Sequence, residues 1–278
     1  KAMYESLLKD VIDIHIHTSP DVRQRRLNDI ELAVEAKRVG ARAIVIKSHV
    51  VPTMDRAAIA ETVVPGIRVF GGLTLNAHVG GLNLLAVETA LKMNAKFIWL
   101  PTSYSANERS RAQATDGVEV VKNGKAVPVL RDIFQLVAAS DAALCTGHST
   151  PKETQILVEE AKKQGVKKII VNHPEWRTVE MSLEEQKNLV SEGVYFERCY
   201  ARALGGGKYD KNFQRNLEAI EKIGYQSTII ATDGGQVENP LWSEALGEYL
   251  NFLLQAGVSH EQLAHMVTRT PAMILGLA

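Results

Sequence analysis

Eight short apolar runs, rich in β-branched residues, alternate with helical patterns along this chain, and that alternation limits the fold more than any other feature of the sequence. The runs are Val11–His17, Ala43–His49, Val69–Asn76, Lys96–Thr102, Ala142–His148, Lys168–His173, Val194–Tyr200 and Thr228–Asp233. Their starts are separated by 32, 26, 27, 46, 26, 26 and 34 residues. The helical stretches between them are well punctuated. Asn28–Val39 stops at Gly40, and Asn212–Ile223 stops at Gly224. Thr150-Pro151-Lys152-Glu153 is a capping box with proline at the first helical position, ahead of a helix that stops at Gly165. Ser182 and Glu185 form a second box before a helix expected to end at Gly193. Strand–helix alternation builds a parallel sheet covered by helices. Runs such as Ile44-Val45-Ile46 and Ile169-Ile170-Val171 suit strands buried on both faces. Eight such units, with no Gly-x-Gly-x-x-Gly after the first strand, predict an α/β chain of the (β/α)8 TIM-barrel type, a single domain over residues 1–278.

The length of 278 residues and the 45% apolar content supply a core for one unit of that size. Lys plus Arg equals Asp plus Glu at 32 each, so no nucleic-acid partner is expected. No apolar run reaches the roughly 18–20 residues that cross a bilayer, and Lys1-Ala2-Met3-Tyr4 is followed by charges and not by a signal-type stretch. A soluble, cytoplasmic protein with a small-molecule substrate is expected, and a homo-oligomer is compatible with it. Cys145 and Cys199 both lie in strand-like runs, which predicts buried free thiols and no disulfide framework.

Of the eight histidines, six fall at or just beyond strand C-termini: His15, His17, His49, His78, His148 and His173. In a barrel those ends converge on one mouth. His260 and His265 belong to the C-terminal helical region and read as structural. In Asp13-Ile14-His15-Ile16-His17, period-two alternation points both imidazoles to one face, with Ile14 and Ile16 opposite. An isolated His-x-His is better explained by two satisfied core histidines; the company of His148, His173 and Asp233 at other strand ends favours a metal. Asp233, at the end of the last run, is poor strand material, and a cation beside it removes the cost of burying its charge. A set of neutral imidazoles plus carboxylate suits zinc, with Mn, Fe or Ni also compatible, as one or two divalent ions.

His-x-His on strand one, His148 and His173 after strands five and six, and Asp233 after strand eight together resemble the amidohydrolase superfamily. The tail Thr270-Pro271-Ala272-Met273-Ile274-Leu275-Gly276-Leu277 is similar to the closing helix common there. The resemblance implies that His15, His17, His148, His173 and Asp233 are metal ligands. It also implies metal-assisted hydrolysis of an amide, lactam or lactone, with Asp233 as general base. Many members carry a bridging carboxylated lysine or a glutamate on strand four, where this chain has Phe97-Ile98-Trp99-Leu100-Pro101. The nearest substitute is Lys47 on strand two, either as a bridging ligand or as a substrate-binding ammonium.

Asp13-Ile-His-Ile-His-Thr18 also resembles the opening of the polymerase-and-histidinol-phosphatase group of metal phosphoesterases, with His49 and His78 as matching site residues. That group's terminal Asp-x-His is absent from Asp233-Gly234-Gly235. A barrel that binds without catalysing is the remaining alternative. Around the expected mouth, His49, His78, Tyr104, Arg109 and Glu197 are candidate substrate contacts, and Arg23, Arg25, Arg177 and Lys208 lie in the same connections. Gly205-Gly206-Gly207 suits an anion-binding turn or a lid hinge. The long fourth connection contains Glu119–Val127 around Asn123-Gly124, a preferred hairpin turn, and is expected to fold over the mouth.

Overall fold

Most of the apolar runs pair as strands shorter than their sequence patterns, because polar residues at their ends, such as Ser48-His49 and Asn172-His173, leave the ladder as loop, whereas the first run keeps His17 within its strand. In this computed structural model, residues 3–277 are described; Lys1, Ala2 and Ala278, the ends of the expected domain and part of the N-terminal stretch read above, lie outside the described residues. The strands are β1 (Ile12–His17), β2 (Ala43–Lys47), β3 (Arg68–Phe70), β4 (Gly72–Thr74), β5 (Phe97–Trp99), β6 (Val121–Lys122), β7 (Lys125–Ala126), β8 (Ala143–Cys145), β9 (Ile169–Val171), β10 (Val194–Cys199), β11 (Ala201–Gly205), β12 (Lys208–Lys211) and β13 (Thr228–Ala231). The helices are α1 (Asp29–Arg38), α2 (Met54–Val63), α3 (Leu84–Lys92), α4 (Ala106–Arg111), α5 (Val129–Ala138), α6 (Pro151–Lys163), α7 (Leu183–Leu189), α8 (Phe213–Ile223), α9 (Trp242–Gln255), α10 (His260–Ala264) and α11 (Thr270–Leu275). The Thr150 and Ser182 capping boxes form as the sequence predicts. The helix after Ser182 ends at Leu189, ahead of Gly193, because Val190 already has extended backbone.

β1, β2 and β3 pair in parallel, and so do β4, β5, β8, β9, β10 and β13. β3 and β4 are one run broken at Gly71, where a side chain would meet the Thr53 carbonyl group at 2.4 Å. At the other edge Ile16 bridges in parallel to Gly234, and the His17 amide donates to the Gly234 carbonyl at 2.9 Å. A Cβ on Gly235, whose φ is +106°, would meet the His17 carbonyl oxygen at 1.9 Å. Only glycine lets the chain after β13 approach β1 this closely. The ladders therefore form two open sheets that meet at both edges, not one unbroken ring.

Apolar packing is layered. Ile44 and Ile46 of β2 pack outward with Leu32, Trp242 and Leu246, while Ile98, Phe134, Leu157 and Val171 build a second outer cluster. An inner cluster of Ile12, Val45, Phe97, Trp99, Cys145 and Ile170 is closed below by Ile274 and Leu275 of α11. Both cysteines are free and buried. No helix among the described residues is long and apolar enough to cross a membrane.

One detail of β1 departs from simple alternation. Asp13 pairs with Ile44 but Ile16 pairs with Ile46, so β1 carries one extra residue, a β-bulge. Ile14 consequently packs in the inner cluster, while Ile16 packs outward. The expectation that Ile14 and Ile16 share the face opposite the imidazoles is corrected for Ile14.

The bulge leaves Asp13 on the outer face, buried against α9. Its carboxylate accepts hydrogen bonds from the His15 amide (3.1 Å), the Thr232 amide (3.2 Å), the Thr232 hydroxyl (2.6 Å) and Trp242 Nε1 (2.8 Å). Burial still lifts its pKa to about 6, against the pull of those donors. Asp13 thus fastens β1 to the segment that carries Asp233. Asp13→Ala strands several buried donors, each worth about 1–3 kcal/mol, so a loss of at least about 3 kcal/mol is expected in urea unfolding. A loss below about 1 kcal/mol would show that the fastening lies elsewhere.

The long fourth connection divides into two parts. Its hairpin, β6 and β7, turns on Asn123 and Gly124 in the left-handed region, as the sequence predicts. The hairpin packs on α6 and does not line the mouth, which corrects the expectation that it closes over it. The first half of the connection does border the mouth, through Ser103, Tyr104, Glu108 and Arg109.

Candidate metal centre

Parallel pairing delivers every strand's C-terminal end to the same side, and the polar residues that terminate the strands meet there. His15 and His17 end β1 and Lys47 ends β2; His49, His148, His173 and Asp233 follow β2, β8, β9 and β13 in loops. His173 (φ +21°) and Asp233 (φ +50°) have positive φ, a backbone state uncommon outside glycine.

Three ligand-type atoms converge closely. His15 Nε2 and His17 Nε2 each lie 3.0 Å from Asp233 Oδ1, and 3.3 Å from one another. Donors held at about 2.0–2.1 Å around a tetrahedral ion are spaced by roughly 3.4 Å, so this trio has the separation of ligands sharing one cation. Lys47 Nζ lies 3.4 Å from His15 Nε2, and His173 Nε2 lies 4.0 Å from Asp233 Oδ2. His148 stands further out, its ring centroid 5.0 Å from that of His173. Both ring nitrogens of buried His173 lack a hydrogen-bond partner among the described residues. Buried polar atoms are ordinarily paired. An orphaned imidazole aimed at a carboxylate and two further imidazoles fits a divalent cation, and the residues present suit zinc.

The electrostatics of the cluster follow from burial and close charge. Burial alone would raise the Asp233 carboxyl, but charge and hydrogen bonds from His15 and His17 hold it well below the usual carboxylate range. Burial disfavours a charged His15, yet the Asp233 and Glu197 carboxylates lift it to about 9. His17 is pushed well below its ordinary value by burial and by the Arg25 guanidinium, whose Nη2 lies 3.4 Å from His17 Nδ1. Burial and the His148 ring keep His173 low as well. Burial lowers Lys47, partly offset by Asp233 and Glu197.

His17 and Asp233 of the trio line the floor of a cleft of about 680 Å³, together with His49, His148, Trp176 and Tyr209, and His15 lies buried just beneath them. His49 stacks on His17 (centroids 4.9 Å apart), and its Nδ1 lies 2.7 Å from Thr102 Oγ1. His78 is exposed on the rim, edge-on to Tyr104 at 5.1 Å. Arg109 lies over Tyr104 and pairs with Asp116 at 2.8 Å. Arg23 and Lys208 line the same cleft, while Arg177 borders a neighbouring one. Gly205-Gly206-Gly207 is the turn of the β11–β12 hairpin on the rim.

Glu197, a candidate substrate contact, sits instead behind the floor. It is buried, does not line the cleft, and accepts from His15 Nδ1 at 3.0 Å and Asn172 Nδ2 at 3.3 Å. Neither Arg198 nor Arg202 pairs with it: Arg198 pairs with Glu175, and Arg202 with Glu180. His265, read as structural, packs edge-on against Tyr225. Glu108 was not legible in advance. It lies in the first turn of α4, where the Ser105-x-x-Glu108 spacing marks a helix start but not a distant partner, and its carboxylate accepts from His148 Nδ1 at 2.8 Å.

The fold is one shared with solved amidohydrolases. An amidohydrolase from Pseudomonas aeruginosa superposes with a TM-score of 0.61 at 13% identity, over 97% of each chain. One from Burkholderia multivorans, solved with bound zinc, gives 0.61 at 11% identity over 96% of this chain and 99% of its own. A dihydroorotase gives 0.60 at 13% identity over 97% of this chain and 71% of its own. By sequence, the chain belongs to a protein family of unknown function (DUF6282), whose model matches residues 10–197. No curated protein matches it.

Proposed function

We propose that this protein is a metal-dependent hydrolase of a small-molecule amide, lactam or lactone, working at the mouth of a closed (β/α)8 barrel. The contact of His15 Nε2, His17 Nε2 and Asp233 Oδ1 within 3.3 Å on the floor of a cleft carries the reading. Closure is supported by the Ile16–Gly234 bridge and by the near-continuity of β3 and β4. His15, His17, Asp233, His173, Lys47 and His148 would hold one or two divalent ions, most simply zinc; the zinc-bound structure of similar fold supports that choice. A divalent cation in such a set supplies Lewis acidity, polarising a carbonyl oxygen and acidifying water.

The chain's own groups do the rest. The cleft admits a small molecule between Trp176, Tyr104 and the β11–β12 turn. Asp233 stays ionised, and its Oδ2 is the oxygen that His15 and His17 leave less engaged. That oxygen takes the proton of the attacking water and returns it to the leaving group. Glu197 holds the His15 ring from behind.

Elemental analysis of purified protein, followed by assay of lactones, lactams, dipeptides and phosphate monoesters before and after chelation, tests the reading. We expect about one to two equivalents of transition metal, and carbonyl-bond hydrolysis that chelation abolishes and zinc restores. Turnover of the phosphate esters alone would favour the phosphoesterase alternative. Stoichiometric metal with no turnover of any class would favour a binding barrel.

A further inference from the structure

The fourth connection bends back on the loop that carries His148 and grips it at three points. Ser105 Oγ donates to the His148 carbonyl at 2.9 Å, and Asn107 Nδ2 donates to the same oxygen at 3.1 Å. Glu108 Oε2 accepts from His148 Nδ1 at 2.8 Å. The grip is itself braced. Ser105 Oγ also caps α4 by accepting from the Glu108 amide at 2.9 Å, which sets Glu108 relative to His148. Asn107 Nδ2 reaches across to the Thr178 carbonyl at 2.6 Å, tying α4 to the loop that follows His173. Behind it, Ala106 N donates to the Val118 carbonyl, and Val118 N to the Tyr104 carbonyl. A Cβ on Gly117 would meet Ala106 Cα at 2.5 Å, so the return strand seats directly on α4.

A carboxylate only accepts hydrogen bonds, so the imidazole nitrogen facing Glu108 must carry the proton. Its other nitrogen, Nε2, then keeps a lone pair for a cation, and a ligating histidine is most basic when backed in this way. Glu197 backs His15 by the same logic from strand β10. The His148 backbone is turned by Gly147 (φ +71°), where a side chain would meet the Leu100 carbonyl at 2.4 Å.

We propose that the Ser105–Glu108 segment is a positioning element for His148, and that Glu108 fixes this ring as the Nδ1-protonated tautomer with Nε2 free to bind metal. The metal part rests on the reading of His148 as a ligand.

Long-range ¹H–¹⁵N NMR of the metal-free protein reads the tautomer directly, and competition for Zn²⁺ against a chromophoric chelator reads affinity. Wild type is expected to show His148 protonated at Nδ1. Glu108→Ala should lose that preference and bind Zn²⁺ about 10–100-fold more weakly, with an unchanged circular dichroism spectrum. Glu108→Gln keeps an acceptor oxygen and should restore most of the tautomer preference but only part of the affinity. An unchanged tautomer in Glu108→Ala overturns the proposal. So does unchanged Zn²⁺ affinity in Glu108→Ala when His148→Ala binds weakly, and there the ligand reading survives. If His148→Ala also binds as tightly as wild type, the ligand reading has failed and the proposal falls with it.

Discussion

Asp233→Asn is expected to cut turnover of the hydrolysed substrate by about 10²–10⁴-fold, the usual worth of a positioned acid–base group. Asn conserves the shape and one oxygen, and it tolerates the left-handed backbone (φ +50°) that Asp233 adopts. The backbone contacts survive too, because Gln236 Nε2 donates to the carbonyl of residue 233 and not to its side chain. What is lost is a carboxylate able to take a proton at neutral pH. A folded Asp233→Asn protein with full turnover would place the base on another residue. Because Asn is a weaker metal ligand than carboxylate, metal content is measured on the same sample, and the rate is compared at matched occupancy.

Replacing His15 and His17 together with Ala is expected to remove the metal altogether from the position they share with Asp233, a loss of at least one equivalent by elemental analysis. Two of the three converging atoms disappear, and the ion is left with a single strong ligand there. The double variant also strands Glu197, whose buried carboxylate loses its His15 partner at 3.0 Å. That costs about 3–5 kcal/mol and lowers its thermal midpoint. His17→Ala alone spares the Glu197 contact and serves as the stable comparator, with weakened but measurable binding expected. Metal retained stoichiometrically by a folded double variant would move the centre away from β1.

The elements of this protein were readable for local reasons. Thr150 and Ser182 cap helices because their side chains reach backbone amides three residues on, a contact that needs no distant partner. Asn123-Gly124 turns a hairpin because both residues accept positive φ. The convergence of His15, His17 and Asp233 followed from one further step, since parallel strands place their C-terminal ends on one side. The β1 bulge was hidden because alternation assumes an unbroken ladder. The extra residue is visible only when β1 is set against β2.

Sequence alone thus determined the strand–helix order, the helix caps and the strand-end histidines, all properties of neighbours within a few residues. Tertiary structure decided what each polar group faces. Glu197 backs His15 from β10, a strand of the other sheet, and does not line the cleft. Glu108 came to His148 from 40 residues away. The hairpin went to α6 because buried Val120 and half-buried Val121 and Val127 found apolar cover there. Hydrogen bonds and burial of this kind join residues that no local pattern connects, so they emerge only once the chain has closed on itself.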